Sequence, residues 1–450
     1  MERSRIAVGP AVAILAFGCL LASSLPAGAE ICTIDDVPAA TLLLPYFEVD
    51  LERTDGVNTL FSVNNSSANA ALAHVTLWTD QAMPTLNFDI YLTGYDVQTI
   101  SLRNVFAGNL PRTADAGSDP GDTISHKGAI SRDVDFPGAP QPCTGAYVNP
   151  ALDGFAVASL AAAHTGRSVP TSGRCMGAYY DDKIARGYIT VDSVTQCSLL
   201  FPSSIGYFSG GIADNRNVLW GDYFYVNPTQ NFAQGETLVH IEACGSPSVG
   251  NGAGRCPFAQ GKYTFYGRYA SLAGQDQREP LATTFATRYA FGGAFPGGTD
   301  LIVWRDSKTL PTGLDGPYAC GTPNRPAWFP LSQSEVVAFD EQESPEDLCF
   351  PSDVVLPVAS APVCFPLAAQ RIDLAGNNVI ASDVGPSAAF GWLYLNLNAT
   401  VGSATYPAAN PRADQAWVTT IMDADGRFSV GYDAVQLDSA CKPSTAVLIP

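Results

Sequence analysis

The chain has 450 residues, with 24 Lys and Arg against 43 Asp and Glu, a net charge of -19 and 46% hydrophobic residues. That apolar content can fill a core, which excludes a disordered or collagenous chain. The acidic excess repels a phosphate backbone and so excludes nucleic acid as a partner. Only 15% of the residues are charged, against about 25% in ordinary globular proteins; Ser, Thr, Asn, Gln and Gly must finish the surface, as in many exported β proteins.

Residues 1–29 carry Arg3 and Arg5, an apolar run from Ala11 to Ala22 and the small-residue site Ala27-Gly28-Ala29. The run is too short to span a bilayer, so the segment reads as a secretory signal peptide. The mature chain then starts at Glu30, is secreted or periplasmic, has no transmembrane segment and is one unit more acidic. Cleavage also removes Cys19 and leaves an even ten of the 11 cysteines, which favours five disulfides in an oxidising compartment. Spacing suggests Cys143–Cys175, Cys244–Cys256 and Cys349–Cys364 as local pairs, with Cys32–Cys197 and Cys320–Cys441 closing each half. No Cys-x-x-Cys occurs, and His74, His126, His164 and His240 stand away from any cysteine cluster, so neither zinc nor another cofactor is expected.

Beyond the leader the chain reads as short strands. Thr59–Val63, Ala73–Trp78, Phe88–Leu92 and Val97–Leu102 are β-branched or aromatic runs with partial alternation, separated by Asn, Gly and Pro. Two short helices are expected, over Ala156–His164 and Pro280–Ala290, the second opening on Glu279-Pro280. The halves then repeat. Gly187-Tyr188-Ile189-Thr190-Val191-Asp192, Trp220 and the run Phe232–Cys244 recur in order as Gly391-Trp392-Leu393-Tyr394-Leu395-Asn396, Trp417 and Phe428–Cys441. A looser match sets the chain from Ala39 against Ala286–Asp306, and Tyr95–Leu102 against Ser334–Glu341. The fold class these features imply is all-β and mainly antiparallel, with two tandem β-sandwich domains of related topology. The domains would cover 30–250 and 251–450 and join in the Gly-, Ser- and Pro-rich stretch Gly245–Gly261. Each would carry a long disulfide-linked insertion, at about 106–185 and about 342–389.

Chemistry is sparsely signalled. No Gly-x-Ser-x-Gly elbow is present, and His74 and His240 sit in strand runs as half-buried or exposed strand histidines. Trp220, Tyr223 and Tyr225 are candidate ligand-binding aromatics, since aromatic faces stack on sugar rings. Asp222, Glu236 and Glu242 lie near them and are weak candidates for the paired carboxylates of a glycoside hydrolase. Asp115, Asp119 and Asp122 form a weak calcium candidate in a Gly-rich loop, whereas Asp423-Ala424-Asp425-Gly426 reads as a hairpin turn. The acidic stretch Asp340–Asp347 reads as a solvated loop. Asn64, Asn65 and Asn398 begin glycosylation sequons, which matter in a secreting host that glycosylates. The function expected is binding or surface association, to glycans or cell-surface components. An extracellular carbohydrate-active hydrolase and a coat or surface-layer subunit are the alternatives.

Overall fold

The computed structural model describes residues 34, 36–113, 140–244, 264–267, 276–306, 317–321, 329–331, 333–349, 364–376, 378–381, 384–398 and 415–438. The leader, the linker, Cys32, Cys256, Cys441 and the Asp115–Asp122 loop lie outside these residues. The first half contains β1 (Thr41–Asp50), β2 (Asn58–Asn65), β3 (Ala71–Thr79), β4 (Pro84–Leu92), β5 (Val97–Ser101), α1 (Leu102–Phe106), α2 (Gly154–His164), β6 (Ile184–Val194), β7 (Leu219–Trp220), β8 (Asp222–Asn227), β9 (Phe232–Thr237) and β10 (Val239–Ile241). The second contains β11 (Thr284–Ala290), β12 (Gly298–Arg305), β13 (Glu335–Asp340), β14 (Pro345–Cys349), β15 (Ala369–Asp373), β16 (Phe390–Asn396), β17 (Ala416–Asp423), β18 (Ser429–Asp433) and β19 (Val435–Gln436).

Every ladder between these strands is antiparallel, so the all-β class is as the sequence implied. Four sheets result: sheet I in the order β10-β1-β6-β3-β4, sheet II in the order β5-β2-β8-β9 with β7 on β2, sheet III in the order β15-β12-β17-β18, and sheet IV in the order β14-β13-β16-β11-β19. The orders repeat. Replacing β1, β3, β4, β6 and β10 by β11, β13, β14, β16 and β19 converts sheet I into sheet IV, and the same substitution of β2, β5, β8 and β9 converts sheet II into sheet III.

Burial patterns give the layering. Strands β1, β3 and β6 are buried on both faces along almost their whole length, as are β12 and β17. By contrast, β11 and β16 alternate between buried and open positions. One apolar cluster joins Leu42, Phe47 and Ile189 of sheet I to Phe61 and Tyr223 of sheet II, and also takes in Ile302, Trp304, Trp417 and Ile421 of sheet III. A second joins Leu301, Val303 and Val418 of sheet III to Phe285, Leu393 and Leu395 of sheet IV. The layers therefore stack in the order II, I, III, IV, and the middle seam between I and III is core. Trp304 marks that seam: its ring lies edge-on to Tyr188 of sheet I at 5.9 Å and stacks on Phe265 at 5.5 Å. Polar groups cross the seam as well. Arg371 on sheet III lies 2.5 Å from Asp300 and 3.5 Å from Glu48 on sheet I, and Glu48 also faces Arg186 at 3.6 Å.

Four expectations need correction. Thr284–Ala290 is strand, not helix: Leu281, Phe285 and Tyr289 recur every four residues, a spacing that satisfies period two as well as a helical stripe, and Phe285, Thr287 and Tyr289 all face inward. Val97–Ser101 corresponds to Ala369–Asp373 and not to Ser334–Glu341, which takes the place of β3; short β-branched runs resemble one another too closely for sequence to choose. Two strands, β14 and β15, interrupt the stretch read as a second insertion at 342–389, and β14 includes part of the acidic run read as a loop.

The disulfides join Cys143 to Cys197 and Cys175 to Cys320, which overturns Cys143–Cys175, Cys32–Cys197 and Cys320–Cys441. Sequence distance misleads here because the fold returns distant segments to one place. An isolated bridge pairs Cys175 with Tyr318, bringing Cys320 within a Cα separation of 5.1 Å across 145 residues. Cys244 and Cys364 are also disulfide-bonded; Cys256 and the side chain of Cys349, expected as their partners, lie outside the described residues. Among the described residues no helix is long and apolar enough to cross a membrane.

Candidate functional site

The aromatic and acidic residues singled out around Trp220 fall on different faces of sheet II, because neighbouring strand residues point opposite ways. Tyr223 and Tyr225 are core. Their rings meet edge-on at 5.3 Å, the Tyr225 hydroxyl donates to the Tyr46 carbonyl at 2.7 Å, and burial raises both phenols above their ordinary pKa. They cannot stack on a surface sugar, so that expectation is corrected. Trp220, Asp222 and Phe224 take the other face. Trp220 is half-buried, with its ring edge-on to His240 at 5.6 Å. Asp222 accepts from Ser62 Oγ at 2.7 Å, and Phe224 is 46% exposed. Phe224 pairs with Leu60 on β2 and with Gly235 on β9. A Cβ at Gly235 would sit 2.4 Å from the Phe224 ring, so the glycine lets the ring lie flat across the strand. The outer face of sheet II thus presents Trp220, Asp222 with Ser62, Phe224, Leu60 and, at its edge, Val97, which is 57% exposed.

The three acids also separate. Glu236 pairs with Tyr223 and Asp222 with Thr237, which puts the two carboxylates on opposite faces. Glu242 is buried, accepting from Asn217 Nδ2 at 3.2 Å. A different acid pair forms instead, missed in the sequence because its members are nearly 200 positions apart. The edge strands β9 and β18 lie side by side, with Ser429 Oγ donating to the Ala233 carbonyl at 3.1 Å and Asn231 Nδ2 to the Gly426 carbonyl at 2.5 Å. This brings Glu236 toward Asp433. Burial raises the Glu236 pKa, and the charges of Asp433 and then Asp36 add to the effect. Burial also pushes Asp433 up to about 6, against the opposing hydrogen bonds it accepts from Thr419 Oγ1 at 2.7 Å and Trp417 Nε1 at 3.1 Å. Asp36 accepts from Thr237 Oγ1 at 3.0 Å beside them. Glu236 is among the candidate carboxylates read from the sequence; for its partner, the signals pointing here are the recurring Trp417 and the Phe428–Cys441 run.

The histidines are more buried than strand alternation implied. His240 is fully enclosed and burial lowers it to about 4; His74 lies within 2.7 Å of Asp89 in the core. Asp89 also lies near Cys143 and Cys197 with metal-ligand spacing, but those two sulfurs are joined to each other. Asp425 and Gly426, with φ of 55° and 74°, form the tight connection between β17 and β18 that the Asp-Gly signal indicated. Asn65 is unsuited to carry a glycan, since it is buried and its Nδ2 donates to the carbonyls of Asn69 and Thr93. No family model, curated protein or solved structure matches this chain.

Proposed function

We propose that the protein is exported through its N-terminal leader, is held together by disulfides, and acts by binding or surface association through the outer face of sheet II. The carrying observation is that Trp220 and Phe224 sit on that face with the hydrogen-bonded Asp222–Ser62 pair between them. A sheet face with spaced aromatics and a polar group between suits the apolar face and hydroxyls of a sugar ring. The partner is a glycan or another cell-surface component. A glycan array and a pull-down on intact cell envelopes test this: both should give binding that weakens at least about tenfold on Phe224→Ala, and blank results with the folded protein would refute it.

The acid pair at the β9–β18 edge favours a second reading as a carbohydrate-active hydrolase. A carboxyl group whose pKa burial raises, beside a second carboxylate, is the acid–base arrangement that glycoside hydrolysis uses. This reading requires turnover on a polysaccharide panel, falling at least about a hundredfold on Glu236→Gln or Asp433→Asn; no turnover by the folded protein rejects it.

A further inference from the structure

The correspondence between halves has a consequence at the two ends of the stack. Within the chain, sheet I and sheet III meet face to face. On the sheet I side the seam holds the cross-strand pair Trp78 and Tyr188, whose rings stack with centroids 5.7 Å apart and an interplanar angle of 1°. On the sheet III side it holds Ile302, Trp304, Trp417 and Ile421. Sheet IV is the counterpart of sheet I, and its register sets Phe339 opposite Trp392 where sheet I has Trp78 opposite Tyr188. Phe339 and Trp392 stack as well, at 4.3 Å and 9°. Arg288, exposed, continues that row beside Trp392, and the next row on the same face runs Val337, Tyr394, Ala286, Val435; Val337 is buried and Val435 is 64% exposed. Among the described residues no strand or helix covers this face.

At the opposite end, sheet II is the counterpart of sheet III. Trp220 pairs with Asn64 as Trp417 pairs with Trp304. Phe224 pairs with Gly235 on β9 as Ile421 pairs with Gly431 on β18. The outer face of sheet II is thus built on the positions that, in sheet III, are buried against sheet I. Among the described residues the seam is thus completed once and each of its two sides is left uncovered once, at opposite ends.

We infer that the protein associates head to tail with further copies of itself, the outer face of sheet IV of one copy seating the outer face of sheet II of the next as sheet I seats sheet III within the chain. The interface is heterologous, so each added copy presents a fresh sheet IV face at one end and leaves a sheet II face free at the other, and the product is an open chain of molecules and not a closed dimer. Stacked aromatics at its centre are the residue types that dominate association energetics, and they are flanked by the exposed Arg288 beside Trp392 and by Glu343, which accepts from Trp392 Nε1 at 3.1 Å. The inference goes beyond the glycan reading and names a different partner for the same sheet II face. It also assigns the sheet IV face, which the glycan reading does not use.

Two variants with one blocked face each provide the test. Trp392→Arg places a charge at the centre of the sheet IV face, and Phe224→Asp does so on sheet II; both positions are surface-facing, and circular dichroism with a thermal melt establishes that each variant is folded. Sedimentation velocity of the unsubstituted protein should give a mass that climbs with concentration through successive multiples of the monomer. Each variant alone should associate at least about tenfold more weakly. Mixed at equal concentration they should form a heterodimer through the one intact pair of faces, with no larger species. A strict monomer at all concentrations overturns the proposal, and so does a single-face variant that dimerises by itself, because that requires like faces to pair. Envelope binding by Trp392→Arg separates the readings: retained binding with lost self-association supports both, whereas retained binding by an unsubstituted protein that stays monomeric leaves the glycan reading standing alone.

Discussion

Trp304→Ala tests whether the seam between sheets I and III is part of the core. The side chain is 3% exposed, lies edge-on to Tyr188 at 5.9 Å and stacks on Phe265 at 5.5 Å. Its indole nitrogen has no hydrogen-bond partner among the described residues, so the substitution removes packing and strands no polar group among them. Deleting a buried Trp in such surroundings costs about 3–5 kcal/mol, a large share of the roughly 5–15 kcal/mol that holds a typical domain folded. Urea unfolding followed by near- and far-ultraviolet circular dichroism should therefore show a lower midpoint with an unchanged slope. Both signals should fall in a single transition, because residues from both halves share one cluster. Trp304→Phe keeps a ring at the seam and should recover most of the loss. A cost below about 1 kcal/mol, or a split transition in which one half keeps its original midpoint, would refute the reasoning.

Three further outcomes are expected. Replacing Cys175 and Cys320 together by Ala frees a closure spanning 145 residues and should cost about 2–5 kcal/mol, read from denaturant midpoints. Asp433 has its pKa raised by burial, so its ionisation opposes folding progressively as pH rises from its ordinary range to about 6. Asp433→Asn should accordingly raise the melting temperature at pH 8 and have a much smaller effect at pH 4, with equal shifts at both pH values counting against the assignment. A Cβ at Gly187 would lie 2.0 Å from the Trp78 carbonyl, and one at Gly391 would lie 1.9 Å from the Phe339 carbonyl. Each Gly→Ala change should cost about 1–3 kcal/mol in a thermal or urea melt.

Those two glycines also explain why the internal repeat was visible in the sequence. Gly187-Tyr188 and Gly391-Trp392 recur because in both sheets the glycine lies against a partner carbonyl and the next residue's ring stacks on the partner strand's aromatic side chain. Gly235 and Gly431 recur for a similar reason, one under the Phe224 ring and the other under the Gln234 side chain. Close approaches of this kind restrict residue identity and so leave a trace in the sequence. Other features leave none. Trp220, Tyr223 and Tyr225 share a short run, and alternation separates their faces, but composition does not reveal which face is core. The Glu236–Asp433 approach depends on two edge strands from different halves lying together, and the Cys175–Cys320 bond depends on a single bridge at Tyr318. Both are long-range results of stacking the layers and have no counterpart in local pattern.

The strand order of sheet I also constrains the time course of folding. Strand β1 has β6 and β10 as its neighbours, so residues 41–50 have no strand to form a ladder with until the chain beyond residue 184 has been made, and distant pairings of this kind form slowly. The face bearing Trp78 and Tyr188 waits longer still, for β12 and β17 to cover it. An emerging first half would hold exposed rings and an unfinished sheet, the condition in which β chains stick to one another. The bond from Cys175 to Cys320 can close only when both halves are present, so its formation marks the end of that interval.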